Sequence, residues 1–374
     1  MMRVAALLFL LVPLLSACST PYKTPAFAAR DGGPTSFPGA VELLDAERRL
    51  NVILVHGMCT HDRQWAQEAA NSFLAGMGQS GADAPLEQVA VPGSAIELFQ
   101  RTVPIGQRGE VHLSAILWSP ATAPLKQQLC YDQSVRTAGA CAAPPYPWQR
   151  HRINRLIKDK LLDDCLADAV IYLGASRDSI NAQMQAVIQK ALSVAPDASN
   201  LFITDSMGSK IVFDAIYKLA LNRDTAPAGQ RIFDNTQQIF MRANQLPILA
   251  LADTRLAPQQ RLFSCDSDSY PADPIGDLVR RHGCPGTQRA RFGAPLVVAF
   301  SDPSDVLSFT LAGSIHAQSQ PYPVIDVIVS NAPGYLGWLE RPDQAHLDYD
   351  VNPAVNRLIG CGNRSPAYCS VPAR

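Results

Sequence analysis

The sequence lacks the patterns by which several classes of protein are recognised. It has no CxxC pair and no HExxH motif, and its histidines and cysteines do not cluster at ligand spacing, so no metal site is expected. The 32 basic and 33 acidic residues nearly cancel, which leaves no basic surplus for binding nucleic acid. No internal repeat or low-complexity block interrupts the 374 residues. The 47% of hydrophobic residues suit a globular protein with a sizeable core.

The N-terminus also lacks an apolar run long enough to span a membrane. Residues 4–15 are almost wholly apolar, but the stretch is short and contains Pro13, as in the core of a signal peptide. It ends in Leu15-Ser16-Ala17-Cys18, which resembles a bacterial lipobox, in which the cysteine becomes the lipidated first residue. We therefore predict a lipoprotein signal peptide over 1–18, lipidation at Cys18 and a flexible tether over 19–40. The alternative is an ordinary secretory signal with a chance cysteine.

The lipobox resemblance implies a location and a partner. Ser19 rather than aspartate follows the cysteine, so retention in the inner membrane is not signalled. The expected location is the bacterial cell envelope, in the outer membrane, with the protein held to the membrane by its lipid.

The cysteine count agrees with export. Removing Cys18 from the nine cysteines leaves eight, and an even number in an exported protein suggests disulfides. Eight cysteines allow on the order of 100 pairings, so connectivity does not follow from the count. The shortest loops would be closed by Cys130–Cys141, Cys265–Cys284 and Cys361–Cys369, which leaves Cys59 with Cys165. Buried free thiols are the alternative for each pair.

Hydrophobic periodicity predicts strands that alternate with helices. Strands are expected at 51–55, 111–118, 201–205, 239–243, 296–300 and 324–330, and helices at 62–77, 152–166, 180–195, from 207 and at 354–360. Residues 169–174 could form a short strand or a buried turn. This alternation is typical of an α/β protein with a mostly parallel sheet covered by helices on both faces. The segments 119–150 and 251–292 are interpreted as insertions that either cover a site as lids or decorate the fold.

The segment 201–216 predicts a sharp turn from strand to helix at a serine. An apolar run ends at Ser206, a helix-compatible run follows, and Gly208 lies where strand and helix come closest. This is the outline of a nucleophile elbow, although its template has glycine where this chain has Thr204. Ser206 could instead be an ordinary helix N-cap.

Two further strand ends supply the residue types that a nucleophilic serine needs. Asp302 and Asp305 follow the strand at 296–300, and His346 follows the strand at 324–330. Functional residues gather at the carboxyl ends of parallel strands, so these side chains are expected to meet Ser206. The order serine, aspartate, histidine is that of the α/β-hydrolases.

Four short segments make the chain resemble the α/β-hydrolase superfamily of serine esterases and lipases over roughly residues 50–360. They are LVHGM (54–58), TDSMGS (204–209), SDPSDVL (301–307) and AHLDY (345–349). The resemblance implies a single α/β-hydrolase domain over 41–374, with Ser206 as nucleophile and His346 as base. Asp305 is the preferred acid because an apolar pair follows it, and Asp302, closer to the strand end, is the alternative. The backbone N–H groups of Met58 and Met207 would form the oxyanion hole.

The activity that the resemblance implies is hydrolysis of carboxylic esters, on a small-molecule or lipid ester and without a cofactor. An acyltransferase or a thioesterase would use the same triad and differ in the acceptor or the substrate. A third possibility is a non-catalytic envelope lipoprotein that retains the fold.

Overall fold

The computed structural model describes residues 19–20, 22–30, 32–79, 84–134, 141, 148–254, 256, 263–265, 269–285, 287, 290–313, 320–335 and 338–364. The predicted signal peptide with Cys18, and Cys369 of one predicted pair, lie outside the described residues. Within these ranges, no helix is both long and apolar enough to cross a membrane.

The strands form one large sheet and one small one. They are β1 (Ser19–Thr20), β2 (Ala26–Ala29), β3 (Arg49–Val55), β4 (Glu87–Val89), β5 (Glu97–Ile105), β6 (Gly109–Leu117), β7 (Ser199–Asp205), β8 (Thr236–Arg242), β9 (Leu296–Ser301), β10 (Val324–Ile328) and β11 (Gly334–Tyr335). The large sheet has nine strands in the order β2-β10-β9-β8-β7-β3-β6-β5-β4, and β1 pairs with β11. The six strands from β10 to β6 are parallel, whereas β2, β5 and β4 pair antiparallel. The predicted mostly parallel α/β sheet is confirmed.

Twelve α-helices accompany the strands in the described part of the chain. They are α1 (Ala40–Glu47), α2 (Arg63–Gly76), α3 (Ala123–Lys126), α4 (Arg152–Leu156), α5 (Ala167–Leu173), α6 (Arg177–Leu192), α7 (Gly208–Leu221), α8 (Ala226–Asp234), α9 (Leu246–Leu249), α10 (Pro274–Arg281), α11 (Pro342–Leu347) and α12 (Pro353–Cys361). Short 3₁₀ turns occur at Ser119–Ala121, Gln127–Asp132 and Ala250–Asp253, and a π-helix over Ile157–Leu166 joins α4 to α5.

The strands bury both faces because successive side chains point to opposite sides. In β3, Leu50, Val52 and Leu54 pack into one core, and Ile53 and Val55 pack into the other. Helices α1, α2 and α12 cover the first face, while α6, α7, α8 and α10 cover the second. The continuous apolar runs of the central strands follow from this two-sided burial.

The topology fixes where a site can form. From β3 the chain passes to β6 on one side, and β7 then lies on the other side of β3, with β8, β9 and β10 following outward. The strand order therefore reverses between β3 and β7. In open parallel sheets, ligands bind beyond the carboxyl ends of the strands at such a reversal. We call this side of the sheet, where β3 and β6 to β10 end, the carboxyl edge.

Several expectations differ from the structure. Residues 19–40 are not a free tether, because β2 pairs with β10 in the large sheet and the side chain of Phe37 is fully buried. Residues 169–174 lie mostly in helix α5 rather than in a strand or turn. The two predicted insertions contain helices that were not predicted, with α3 in the first and α10 in the second. The edge strands β4 and β5 were not predicted, because their polar and half-exposed residues lack a continuous apolar run.

Candidate active site

Ser206 lies in a sharp turn between β7 and α7. Its φ angle is +51°, an uncommon value for a residue with a side chain, and such strain concentrates at functional sites. Its backbone N–H donates a hydrogen bond of 2.8 Å to the carbonyl of Arg242. The turn needs two glycines: a Cβ on Gly208 would lie 2.4 Å from the carbonyl oxygen of His56, and one on Gly57 would lie 2.8 Å from the Cβ of Ser206. The ends of β3 and β7 are therefore in close contact.

Thr204 replaces the first glycine of the elbow template without crowding the turn. Its side chain is fully buried, and its hydroxyl oxygen lies 2.7 Å from the hydroxyl oxygen of Ser209. It also donates to the carbonyl of Phe240 at 3.4 Å, so the single proton of Thr204 goes there and Ser209 donates to Thr204. A β-branched residue suits a strand end. The threonine thus links β7, α7 and β8 just below Ser206.

The structure brings His346 together with Asp305. The Nδ1 of His346, in α11, lies 2.9 Å from Oδ1 of Asp305, in the loop after β9. The same oxygen accepts the N–H of Leu307 at 2.9 Å, and Oδ2 accepts the hydroxyl of Tyr349 at 3.1 Å. With Nδ1 donating to the carboxylate, Nε2 of His346 is left to accept a proton, as in a catalytic triad.

Asp302 has a different set of partners. Its carboxylate accepts the N–H of Ser304 at 2.8 Å and the N–H of Asn331 at 2.6 Å, so it ties the loop after β9 to the loop after β10. Burial, together with the nearby Glu340, raises the pKa of Asp302 to about 6, although the two backbone N–H groups oppose that shift. Asp302 therefore holds the loops that carry Asp305 and His346, while Asp305 contacts the imidazole.

The hydroxyl of Ser206 is covered in this structure. Its oxygen is buried and has no hydrogen-bond partner among the described residues, so it is not bonded to His346. Catalytic hydrogen bonds often form only when substrate binds. A carbonyl carbon needs open space within about 3–3.5 Å of the attacking oxygen. Access to Ser206 therefore requires the covering groups to move.

Two buried residues flank Ser206 with their backbone amides. Met207 directly precedes the first residue of α7, and Met58 follows Gly57 in the loop after β3. Neither amide donates a hydrogen bond to a group in the described ranges. The first N–H groups of a helix lack intrahelical partners and carry a partial positive charge. Both amides are thus unpaired within the described ranges, one directly after Ser206 and the other directly after Gly57, which lies against Ser206.

The loop that carries Met58 is fastened to the helical segment over 157–173. Cys59, whose φ angle is +80°, forms a disulfide with Cys165. The N–H of Cys59 donates 2.9 Å to Asp168, and the N–H of Thr60 donates 3.1 Å to Asp164. A cavity of about 1140 Å³ adjoins this loop, with Thr60 and the Cys130–Cys141 disulfide among its walls.

His56 is a structural histidine. It is fully buried and lies 2.7 Å from the carbonyl of Gly57 through Nδ1, while its Nε2 accepts the N–H groups of Trp118 and Ser119 at 2.9 and 3.2 Å. Burial is the main cause that lowers the pKa of His56 well below its usual value, and the neighbouring His61 adds to it. A neutral His56 thus joins the ends of β3 and β6.

Asp205, next to the nucleophile, forms an ion pair with Arg242. The guanidinium donates from Nε at 2.5 Å and from Nη2 at 2.8 Å to the two carboxylate oxygens. Asp205 and the nearby Asp350 raise the pKa of Arg242, although burial acts against that rise. Asp205 therefore fixes the end of β7 to the end of β8 and does not reach His346.

Three cysteine pairs form disulfides in the described ranges, namely Cys59–Cys165, Cys130–Cys141 and Cys265–Cys284. The predicted Cys361–Cys369 pair includes a residue outside those ranges. No group of three or more metal-ligating side chains occurs in the part of the chain that the structure describes.

No family model and no curated protein sequence matches this chain. Sequence reasoning did not assign roles to Tyr349, Asp168 or Arg242, which support the site from a distance. Of these three, only Tyr349 could have been found from the sequence, because it lies three residues after His346 in the segment at 345–349 that resembles the α/β-hydrolases.

Proposed function

We propose that this protein is a serine hydrolase of the α/β-hydrolase type that cleaves carboxylic esters through an acyl-enzyme. The observation that carries the proposal is the 2.9 Å hydrogen bond between His346 and Asp305, at the same carboxyl edge as the strained Ser206. Three residue types needed for nucleophilic catalysis follow the carboxyl ends of β7, β9 and β10, which belong to the parallel part of one sheet and end at the same edge.

In the proposed reaction, Nε2 of His346 removes the proton of Ser206 as its oxygen attacks the ester carbonyl carbon. Asp305 holds the imidazole in the required tautomer and stabilises the imidazolium. The N–H groups of Met58 and Met207 stabilise the oxyanion of the tetrahedral intermediate. The intermediate then expels the alcohol, which takes the proton from His346. A water molecule, deprotonated by His346, releases the acid and restores Ser206.

An acyltransferase or a thioesterase would use the same three side chains. For an acyltransferase an alcohol replaces water as the acceptor, and product analysis with and without an added alcohol distinguishes the two. A non-catalytic envelope lipoprotein is the further alternative. The geometry of Ser206 argues against this non-catalytic alternative. A serine that only caps a helix needs neither a positive φ angle nor a buried hydroxyl without a partner among the described residues.

The proposal is tested with Ser206→Ala and with the matched variant Ser193→Ala, which alters an exposed serine at the end of α6. We expect wild type and Ser193→Ala to hydrolyse a panel of acyl esters and to react with a fluorophosphonate probe. Ser206→Ala should do neither while keeping the circular dichroism spectrum of wild type. Undiminished labelling or hydrolysis in Ser206→Ala would rule out the assignment.

A further inference from the structure

Most large exposed apolar side chains lie in the connections that leave the carboxyl edge of the sheet. Among the described residues, all of them except Tyr22 and Phe27 lie in connections that begin at the carboxyl ends of β6, β8, β9 or β10, and Val194, just before β7, lies at the far end of its connection. Examples are Ile248 after β8, Val306 after β9, and Trp338 and Leu347 after β10. Isolated exposed apolar residues are ordinary, but their concentration on one surface indicates an interaction site.

The helical segment from α4 to α5 carries the longest part of this surface. We call Ile153, Ile157, Leu162, Leu166 and Val170 the outer stripe; they recur every four or five residues and are 42–72% exposed. A surface helix usually turns its apolar side inward and its charges outward. This segment reverses that arrangement.

The inward side of the segment carries carboxylates. Asp163 pairs with Lys158, and Asp164 and Asp168 pair with Lys126. The disulfide to Cys59 and the hydrogen bonds to the loop after β3 place the segment at the carboxyl edge. Specific contacts therefore fix the segment with its carboxylates inward. The outer stripe is left without a partner in the described structure.

The N-terminal end of the described chain arrives at the same edge. β2 runs antiparallel to β10, and its first residue, Ala26, pairs with Ile328 at the carboxyl end of β10. Before it, Ser19 and Thr20 pair with Tyr335 and Gly334, in the connection that leads from β10 to α11. Residue 18, at the end of an apolar N-terminal stretch, thus directly precedes a segment held at the carboxyl edge.

We propose that the carboxyl edge is a docking surface for a phospholipid bilayer. Its loops present Trp338, 94% exposed, and Trp148, 74% exposed, and tryptophan is enriched at membrane interfaces. Arg155 and Lys160 lie between residues of the outer stripe and Arg152 directly precedes it, as expected of an interfacial helix that meets anionic lipid. The covered Ser206 lies on the same edge. Docking there places the candidate active site at the lipid surface.

The proposal concerns binding and does not depend on the proposed reaction. The experiment measures co-sedimentation with vesicles of phosphatidylethanolamine and phosphatidylglycerol, using the chain from Ser19 onward, which contains every described element. A loop variant carries Trp338→Ser and Leu339→Ser, and a stripe variant carries Ile153→Ser and Val170→Ser. The control carries Val194→Ser, an exposed apolar position just before β7 and outside the docking surface.

We expect wild type, the control and Ser206→Ala to bind the vesicles with equal affinity. The loop and stripe variants should bind about 10-fold or more weakly, because each loses two apolar side chains from the interface. Their urea midpoints should match wild type, since the altered side chains are exposed. Binding of the loop and stripe variants equal to that of wild type, or no binding by wild type, would overturn the proposal. So would a lipid-free dimer that both variants abolish, since the surface would then pair with a second copy.

If Ser206→Ala binds vesicles but wild type hydrolyses no ester, the proposed reaction fails and the docking proposal stands. If wild type hydrolyses soluble esters but does not bind vesicles, the docking proposal fails and the proposed reaction stands.

Discussion

The carboxylate of Asp168 accepts the backbone N–H of Cys59 at 2.9 Å, and so reaches the residue next to Met58. The same carboxylate accepts the hydroxyl of Thr122 at 2.7 Å and pairs with Lys126. Burial raises the pKa of Asp168, and these partners act against the rise. Asp168 is thus a positioning residue for the loop that holds one proposed oxyanion donor.

The first prediction concerns Asp168→Ala. It should lower kcat by about 10- to 100-fold with little change in KM, because a shift of about 1 Å in a catalytic group has effects of this size. Steady-state kinetics on a soluble ester measure both values. The control is Asp163→Ala, which removes another buried aspartate of the same segment that pairs with Lys158 instead. An equal loss of kcat in both variants would mean that only general stability was affected.

The second prediction concerns the disulfides. Cys59 and Cys165 are 106 residues apart, whereas Cys265 and Cys284 are 19 residues apart. On chain-entropy grounds, replacing the first pair by alanines should lower the free energy of unfolding by about 4–5 kcal/mol and replacing the second by about 3 kcal/mol. Urea denaturation provides the comparison. Only the first replacement should also lower kcat, since only it releases the loop of Met58. Lost activity in the second variant alone would contradict this.

The third prediction separates the two aspartates after β9. Asp305→Asn should lower kcat by about 10⁴-fold, because the amide favours the wrong histidine tautomer. Asp302→Asn should keep activity within about 10-fold of wild type, since its carboxylate contacts backbone N–H groups and not His346. Both are measured by ester hydrolysis at the optimal pH of wild type. A larger loss in Asp302→Asn would reverse the assignment of the acid.

The fourth prediction uses the raised pKa of Asp302. Its pKa is about 6 in the folded protein and about 3.9 in an unfolded chain, so the folded state binds the proton more tightly. The resulting stabilisation is full below about pH 4 and is lost as the pH rises through 6, by up to about 3 kcal/mol. Urea denaturation from pH 4 to 7 should show this decline in wild type relative to Asp302→Asn. Parallel curves for the two proteins would show that Asp302 is not its source.

The central part of the fold could be predicted because burial on both faces leaves a clear pattern. β3, β9 and β10 consist mostly of apolar residues, and β7 contains the apolar run 201–203. The edge of the sheet could not be predicted in this way. β5 consists mostly of half-buried or exposed positions in its second half and contains Pro104, and β2 has only four residues. Their pairing depends on distant partners rather than on their own sequence.

The residues of the candidate site also differ in how far the sequence predicts them. Ser206, Asp305 and His346 were predictable as residue types at strand ends. Asp168 was not, because it lies in α5, where the sequence analysis predicted a short strand or a buried turn from residue 169 onward. The role of Thr204 became clear only from its hydrogen bonds with Ser209 and Phe240, which lie in α7 and β8.

The pairing of β2 with β10 also limits the distance between Cys18 and the folded part of the chain. A free chain over 19–40 could stretch to about 75 Å at 3.4 Å per residue. Because Ala26 is the first residue of β2 and is held in the large sheet, at most eight steps separate it from Cys18, or about 27 Å. The predicted lipid on Cys18 would therefore keep the folded chain on the leaflet that carries it. The proposed hydrolysis would then be confined to esters of that membrane and would not extend to an opposing one.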